Sequence, residues 1–144
     1  MIYTMKNLTI VGDLKKKGFR ITKIRKSLLS ILFSSNKPLS VGEIIISLLK
    51  KDISASKTTI YRELEFLGNE GIVRGIEFGD GKKRYEFDLN KHHHHIVCVS
   101  CGKIADIDFD VDLKKHEREI SSKTGFKIKE HSIEFFGYCQ KCQS

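Results

Sequence analysis

The chain has 144 residues, 40% of them hydrophobic and 31% charged, the size of one domain or two small ones with apolar surface for a core. This excludes a disordered chain, and no apolar run approaches the roughly 20 residues of a membrane span, so a soluble, cytoplasmic protein with no membrane partner is expected. Formal net charge is +8 and the pI about 9.3, which points to a polyanionic partner, nucleic acid first.

The charge is uneven. Residues 1–90 hold 17 Lys/Arg against 10 Asp/Glu, whereas residues 91–144 hold 9 against 8. All four cysteines and all six histidines lie in the second segment. The chain therefore reads as two domains, a basic one over 1–88 and one rich in metal ligands over 89–144.

Three helices are predicted in the first domain. The first opens at Thr22, an N-cap residue, and repeats Ile24, Leu28, Ile31 and Leu32 at the spacing of one buried face. The second opens at Ser40-Val41-Gly42-Glu43, a capping-box sequence, with Ile44, Ile45, Leu48 and Leu49 as its apolar face. The third starts at Ser54-Ala55-Ser56, carries Ile60, Leu64 and Leu67 as its core stripe, and stops at Gly71.

The N-terminal end of the third helix sets Lys57, Thr58, Thr59, Tyr61 and Arg62 away from that stripe. Hydroxyls, a tyrosine and cations at a helix N-terminus suit phosphates and base edges in a major groove. Two strand-like runs, Ile72–Phe78 and Arg84–Asp88, flank the turn Gly79-Asp80-Gly81-Lys82-Lys83 and predict a hairpin with a basic tip. Three helices and a hairpin make a winged helix-turn-helix, so double-stranded DNA is the expected partner.

In the second domain, Cys98-x-x-Cys101 and Cys139-x-x-Cys142 each present two thiolates at chelating spacing. Two such pairs close a tetrahedral four-cysteine site, and structural Zn²⁺ is expected rather than disulfides or a redox pair. His92-His93-His94-His95 runs into the apolar Ile96-Val97-Cys98-Val99. A strand there would put His92 and His94 on one face and His93 and His95 on the other, so the run could feed two further metal sites. Carboxylates or further histidines must complete them, from Glu86, Asp106, Asp108, Asp110, Asp112, His116 and His131. Mixed nitrogen and oxygen ligation suits several divalent ions without choosing among them.

Ile104–Phe109 reads as a strand, Asp110–Asp112 as the start of a helix that runs to Lys123-Thr124 and stops at Gly125, and Phe126–Ile128 and Ser132–Phe136 as closing strands. So small a domain has a thin core, which zinc and a dimer partner would supplement.

These residues resemble the ferric uptake regulator family of metal-responsive repressors. The resemblance runs from about Leu14 to Cys142 and is most specific over His92–Lys103, with Thr58–Leu64, Arg84–Phe87 and His131–Cys142 in matching order. It implies an α+β homodimer, each chain an N-terminal winged-helix DNA-binding domain followed by a small C-terminal dimerisation domain. It also implies a repressor of metal-homeostasis genes that binds operator DNA when a second divalent metal, Fe²⁺, Zn²⁺ or Mn²⁺, is bound.

By position, Cys98, Cys101, Cys139 and Cys142 match the structural zinc ligands. Glu86, His93, His95 and Asp106 match the regulatory metal site, and His92, His94 and His131 a second site in the dimerisation domain. Tyr61 and Arg62 match operator-contacting positions, and Arg20 a basic residue that approaches the minor groove. Pro38 stands where many members supply a histidine, and Lys114 about where a carboxylate ligand often lies. The competing readings are a metal-dependent hydrolase using the His/Glu cluster and a zinc-ribbon RNA-binding protein. The first lacks an H-E-x-x-H pattern and the second lacks grouped strand aromatics.

Overall fold

The computed structural model describes residues 2–88, 93–108 and 111–143, with side chains from Leu8 onward. The chain divides into two compact units, Met1–Lys91 and His92–Ser144. No helix among the described residues is long and apolar enough to cross a membrane.

The first unit opens with helix α1 (Ile2–Lys16), which the sequence pattern does not announce. Its β-branched residues and Gly12 have poor helix propensity, and a burying face overrides them. Leu14 is buried, with Ile10 and Val11 packed beside it. Helix α2 (Lys23–Ser34) starts where Thr22 predicts, its hydroxyl accepting from the Arg25 amide at 3.1 Å. Helix α3 (Val41–Leu49) carries the complete capping box, with Ser40 and Glu43 satisfying each other's amides. Helix α4 (Lys57–Asn69) is capped by Ser56.

Leu28, Leu29, Ile44, Ile60 and Leu67 are fully buried at the centre of this unit. Truncating one such leucine to alanine typically costs about 2–5 kcal/mol. A three-stranded antiparallel sheet flanks the helices in the order β1–β3–β2, from β1 (Leu39–Ser40), β2 (Val73–Glu77) and β3 (Lys83–Phe87). The β2–β3 hairpin pairs Val73 with Phe87 and Glu77 with Lys83. Strand β1 pairs Leu39 with Tyr85 and is too short to leave a periodic signal. Among the described residues of this unit, three helices and a hairpin therefore become four helices and three strands. Pro38, beside β1, is fully buried.

The second unit holds a three-stranded sheet in the order β5–β4–β6, from β4 (His94–Cys98), β5 (Ile104–Ile107) and β6 (Glu134–Gly137). Strands β4 and β5 are antiparallel, β4 and β6 parallel. Helix α5 (Leu113–Thr124) is capped by Asp112 and ended by Gly125 at φ +74°, a left-handed conformation glycine adopts without a Cβ clash. The strand expected over Phe126–Ile128 is not formed. No ladder partner receives that run among the described residues, and Phe126 is exposed.

Candidate metal centres and nucleic-acid-binding helix

The parallel pairing of β4 with β6 sets Cys98 opposite Gly137, which brings the two cysteine pairs to one end of the sheet. After Cys98 the chain turns through Gly102 at φ +72°, whose amide donates to the Cys98 carbonyl at 2.9 Å. After Cys139 a 3-10 turn, Gln140–Cys142, returns the Cys142 amide to the Cys139 carbonyl at 2.7 Å. The four sulfurs lie within 4.8 Å of one another, and Cys101 Sγ is 3.7 Å from Cys139 Sγ. That is far beyond a disulfide bond and close to the about 3.8 Å edge of a tetrahedron of sulfurs around zinc with 2.3 Å bonds.

The amides of Cys139 and Cys101 point at Cys98 and hold its thiol at about 6. Cys142 sits at about 12: the Ser100 hydroxyl pulls it down, and sharing protons with Cys139 and Cys101 pushes it up further. Four sulfurs this close together form a donor set that fits zinc.

Among the described histidines, His93 and His95 lie together and His94 turns the other way. On one face, the rings of His93 and His95 meet edge to face at 4.9 Å. Asp106, opposite His95 across the ladder, brings Oδ1 to 3.5 Å from His95 Nε2. On the other face, His94 donates from Nδ1 to the Ile133 carbonyl at 3.1 Å, and its ring lies 6.1 Å from that of His131. His131 Nδ1 is 2.6 Å from Glu117 Oε1. A neutral imidazole that donates from Nδ1 carries its lone pair on Nε2, the tautomer that ligates a metal.

His92 and Asp110 lie outside the described residues. Asp108 and His116 are exposed, and Asp112 is used as the α5 cap. Glu86, on β3 of the first unit, accepts from Arg74 Nε at 2.7 Å and Nη2 at 2.6 Å.

Glu117 is the residue that sequence reasoning misses. Its signal is its place on the inward face of α5, in helical step with the half-buried Leu113 and Ser121. A carboxylate on the burying side of a helix calls for a partner. It stands nearly one turn beyond Lys114.

At the start of α4, Lys57, Thr58, Tyr61 and Arg62 are exposed, Tyr61 to 50%. Thr59 is half-buried and ties its hydroxyl to Ser56 at 2.9 Å. Arg20 is exposed in the connection between α1 and α2. In the hairpin turn, Lys82 and Lys83 are exposed, while the Arg84 guanidinium forks onto Asp80 at 2.7 and 3.1 Å. That fork holds the Asp80 carboxyl down at about 2 and turns the Arg84 guanidinium back onto the turn.

Comparison with known proteins places this geometry in a group. The model of the ferric uptake regulator family matches residues 16–136. The chain is 35% identical to a ferric uptake regulation protein of Helicobacter pylori over 132 residues, covering 91% of this chain and 87% of that one. It is 34% identical to the peroxide-responsive repressor PerR of Staphylococcus aureus over 133 residues, covering 92% and 88%. The solved structure of the Helicobacter pylori ferric uptake regulator Fur, described as having three functional metal binding sites, superposes with a TM-score of 0.77 at 31% identity. That match covers 97% of this chain and 93% of that one.

Proposed function

The chain belongs to the ferric uptake regulator family, and from that premise we propose that it is a homodimeric repressor whose grip on operator DNA is set by a regulatory divalent metal. It is a metal-responsive, DNA-binding transcriptional regulator and not an enzyme, which sets aside the hydrolase reading. The observation that carries the proposal is a single strand. β4 brings His95 beside Asp106, His94 beside His131, and Cys98 into the sulfur cluster. Three donor sets of different hardness therefore hang on five consecutive residues.

Cys98, Cys101, Cys139 and Cys142 are assigned to structural zinc, which would staple a unit with few buried side chains of its own. His93, His95 and Asp106, joined by Glu86, are assigned to the regulatory ion. His92, His94 and His131 are assigned to the second site. A bound divalent ion supplies charge neutralisation and a fixed angle between its ligands. The chain's own part is to present each Nε2 with its lone pair available and each carboxylate ionised. For Glu86 this means sharing its oxygens with Arg74 or releasing them.

Residues 1–88 are assigned to DNA binding and 89–144 to dimerisation and metal binding, in a protein that works in the cytoplasm. Lys57, Thr58, Tyr61 and Arg62 enter the major groove, and Arg20 reaches the minor groove. Thr59 acts through the cap it shares with Ser56. Exposed Ile96, Phe136 and Tyr138 on the second unit's sheet and its extension supply apolar surface for the partner subunit. The test is a gel shift on a duplex enriched by the protein from a random-sequence pool, with and without metal, against single-stranded RNA. Metal-dependent capture of the duplex alone is expected. Preference for RNA would contradict the reading.

A further inference from the structure

Arg25 is neither a metal ligand nor an exposed α4 residue, yet its guanidinium uses all three nitrogens and one face in contacts within the first unit. Its Nε lies 2.8 Å from Glu63 Oε2, and its Nη2 lies 3.2 Å from Glu63 Oε1. Its Nη1 donates to the backbone carbonyl of Arg20 at 2.6 Å. Its guanidinium also lies over the ring of Phe66, 3.9 Å from the centroid. The Arg25 and Glu63 side chains are only 12% and 16% exposed.

Two further contacts follow the same line. Phe19 meets the Phe66 ring edge-on at 4.8 Å, and Lys17 Nζ reaches Glu70 Oε2 at 2.7 Å. Glu63, Phe66 and Glu70 stand at i, i+3 and i+7, so they share one face of α4. The 17–25 segment is therefore tied to that face at its start, middle and end. Tyr61 and Arg62 are exposed on the same helix.

We propose that the connection between α1 and α2 is a strap laid along α4, and that Arg25 is the positioning residue that fixes Arg20 relative to Tyr61 and Arg62. The two approaches to the duplex, one from the strap and one from the helix, are then set as one rigid piece rather than ordered separately on binding. The guanidinium suits this task because its planar fork can grip a carboxylate, donate to a carbonyl and stack on a ring together, which an ammonium cannot. The inference rests on the proposed DNA contact of Arg20, and the test separates the two.

The experiment is a double-mutant cycle on the full-length, zinc-loaded protein in saturating Mn²⁺. The probe is the duplex that the wild-type protein enriches from a random pool, and affinity is followed across a salt series. Arg20→Ala in the wild-type background is expected to weaken binding about tenfold and to flatten the salt slope by about 0.9, as loss of one phosphate contact does. Arg25→Lys alone should already flatten that slope, although Arg20 is still present. Adding Arg20→Ala to Arg25→Lys should then cost less than about twofold, because coupled residues are non-additive.

Glu63→Gln, which keeps the Phe66 stack, should show the same non-additivity, and it carries the test if Arg25→Lys does not fold. A purely structural role would lower the melting temperature and leave the Arg20 increment unchanged. An equal tenfold increment in all backgrounds would overturn the positioning role alone. A silent Arg20→Ala in the wild-type background would overturn the inference at its root, by removing the contact that Arg25 is said to place.

Discussion

Glu117 Oε1 sits 2.6 Å from His131 Nδ1, a carboxylate–imidazole pair beside the His94 ring. In metal sites such a partner fixes the ring and raises its basicity, and losing it typically costs about 10- to 100-fold in metal affinity. Glu117→Gln is therefore expected to weaken one metal-binding step by about that factor while the cysteine-bound zinc stays in place. Isothermal titration at buffered free metal, paired with a zinc count by mass spectrometry, reads both. Unchanged affinity at every step would show that the pair serves packing and not metal.

The sulfur cluster leads to a separate expectation. Cys98→Ser or Cys139→Ser should release zinc and weaken folding or dimerisation, since structural zinc contributes on the order of 10 kcal/mol in small domains. Native mass spectrometry of either variant should show an apo chain with a depleted dimer. A zinc-free variant that remains a stable dimer would contradict a structural role.

Readout by α4 is tested at Tyr61. Tyr61→Ala should cost about 1–3 kcal/mol on the enriched duplex and little on random DNA, as loss of a base contact does. Equal losses on both duplexes would reassign Tyr61 to the phosphate backbone.

The hairpin turn has a pH signature of its own. Asp80 is held at about 2 by its fork with Arg84. A carboxyl depressed in the folded state stabilises above its ordinary value of about 3.9, and that contribution is lost as pH falls toward the folded value. The ordered turn should therefore persist through pH 4 and loosen only as pH drops toward about 2. Carbon-detected NMR titration of the Asp80 carboxyl checks this, and a midpoint near 4 would mean the fork is open in solution.

Much of this was legible in the chain because local chemistry and tertiary packing agree. Thr22, Ser40–Glu43 and Ser56 mark helix starts, and the structure caps α2, α3 and α4 there. Alternation through the histidine run separates His94 from His95 as drawn. What escaped the sequence depends on long-range contact. Helix α1 is held by the burial of Leu14 against weak local propensity, and β1 is two residues recruited by β3. Phe126 and Ile128 alternate like a strand, but a strand needs an edge to pair with. Glu117 and Arg25 were missed for one shared reason. Each is a charged residue on the inward face of a helix, and its meaning appears only when the facing residue, 14 or 38 positions away, is known.

Pro38 shows how the fold revises a family comparison. It is fully buried, so a histidine there must displace packed neighbours before it can reach an ion. Pro38→His should lower the melting temperature, consistent with the about 1–3 kcal/mol cost of overpacking, and give no tighter regulatory metal binding. Chelator-competition titration at pH 7.5 would show otherwise if that loop does reach the metal.

Coupling between the histidine cluster and DNA is the central claim, and one measurement bears on it most directly. The zinc-loaded protein is titrated onto its enriched duplex at buffered free Fe²⁺, Mn²⁺ and Zn²⁺, beside the His93→Ala/His95→Ala double variant. At least one metal should tighten wild-type binding by about 5- to 150-fold, the range of ordinary allosteric coupling. The double variant should stay a zinc-loaded dimer that binds weakly at every metal level. Wild-type affinity that is the same with and without metal, or a double variant that still responds in full, would contradict the account.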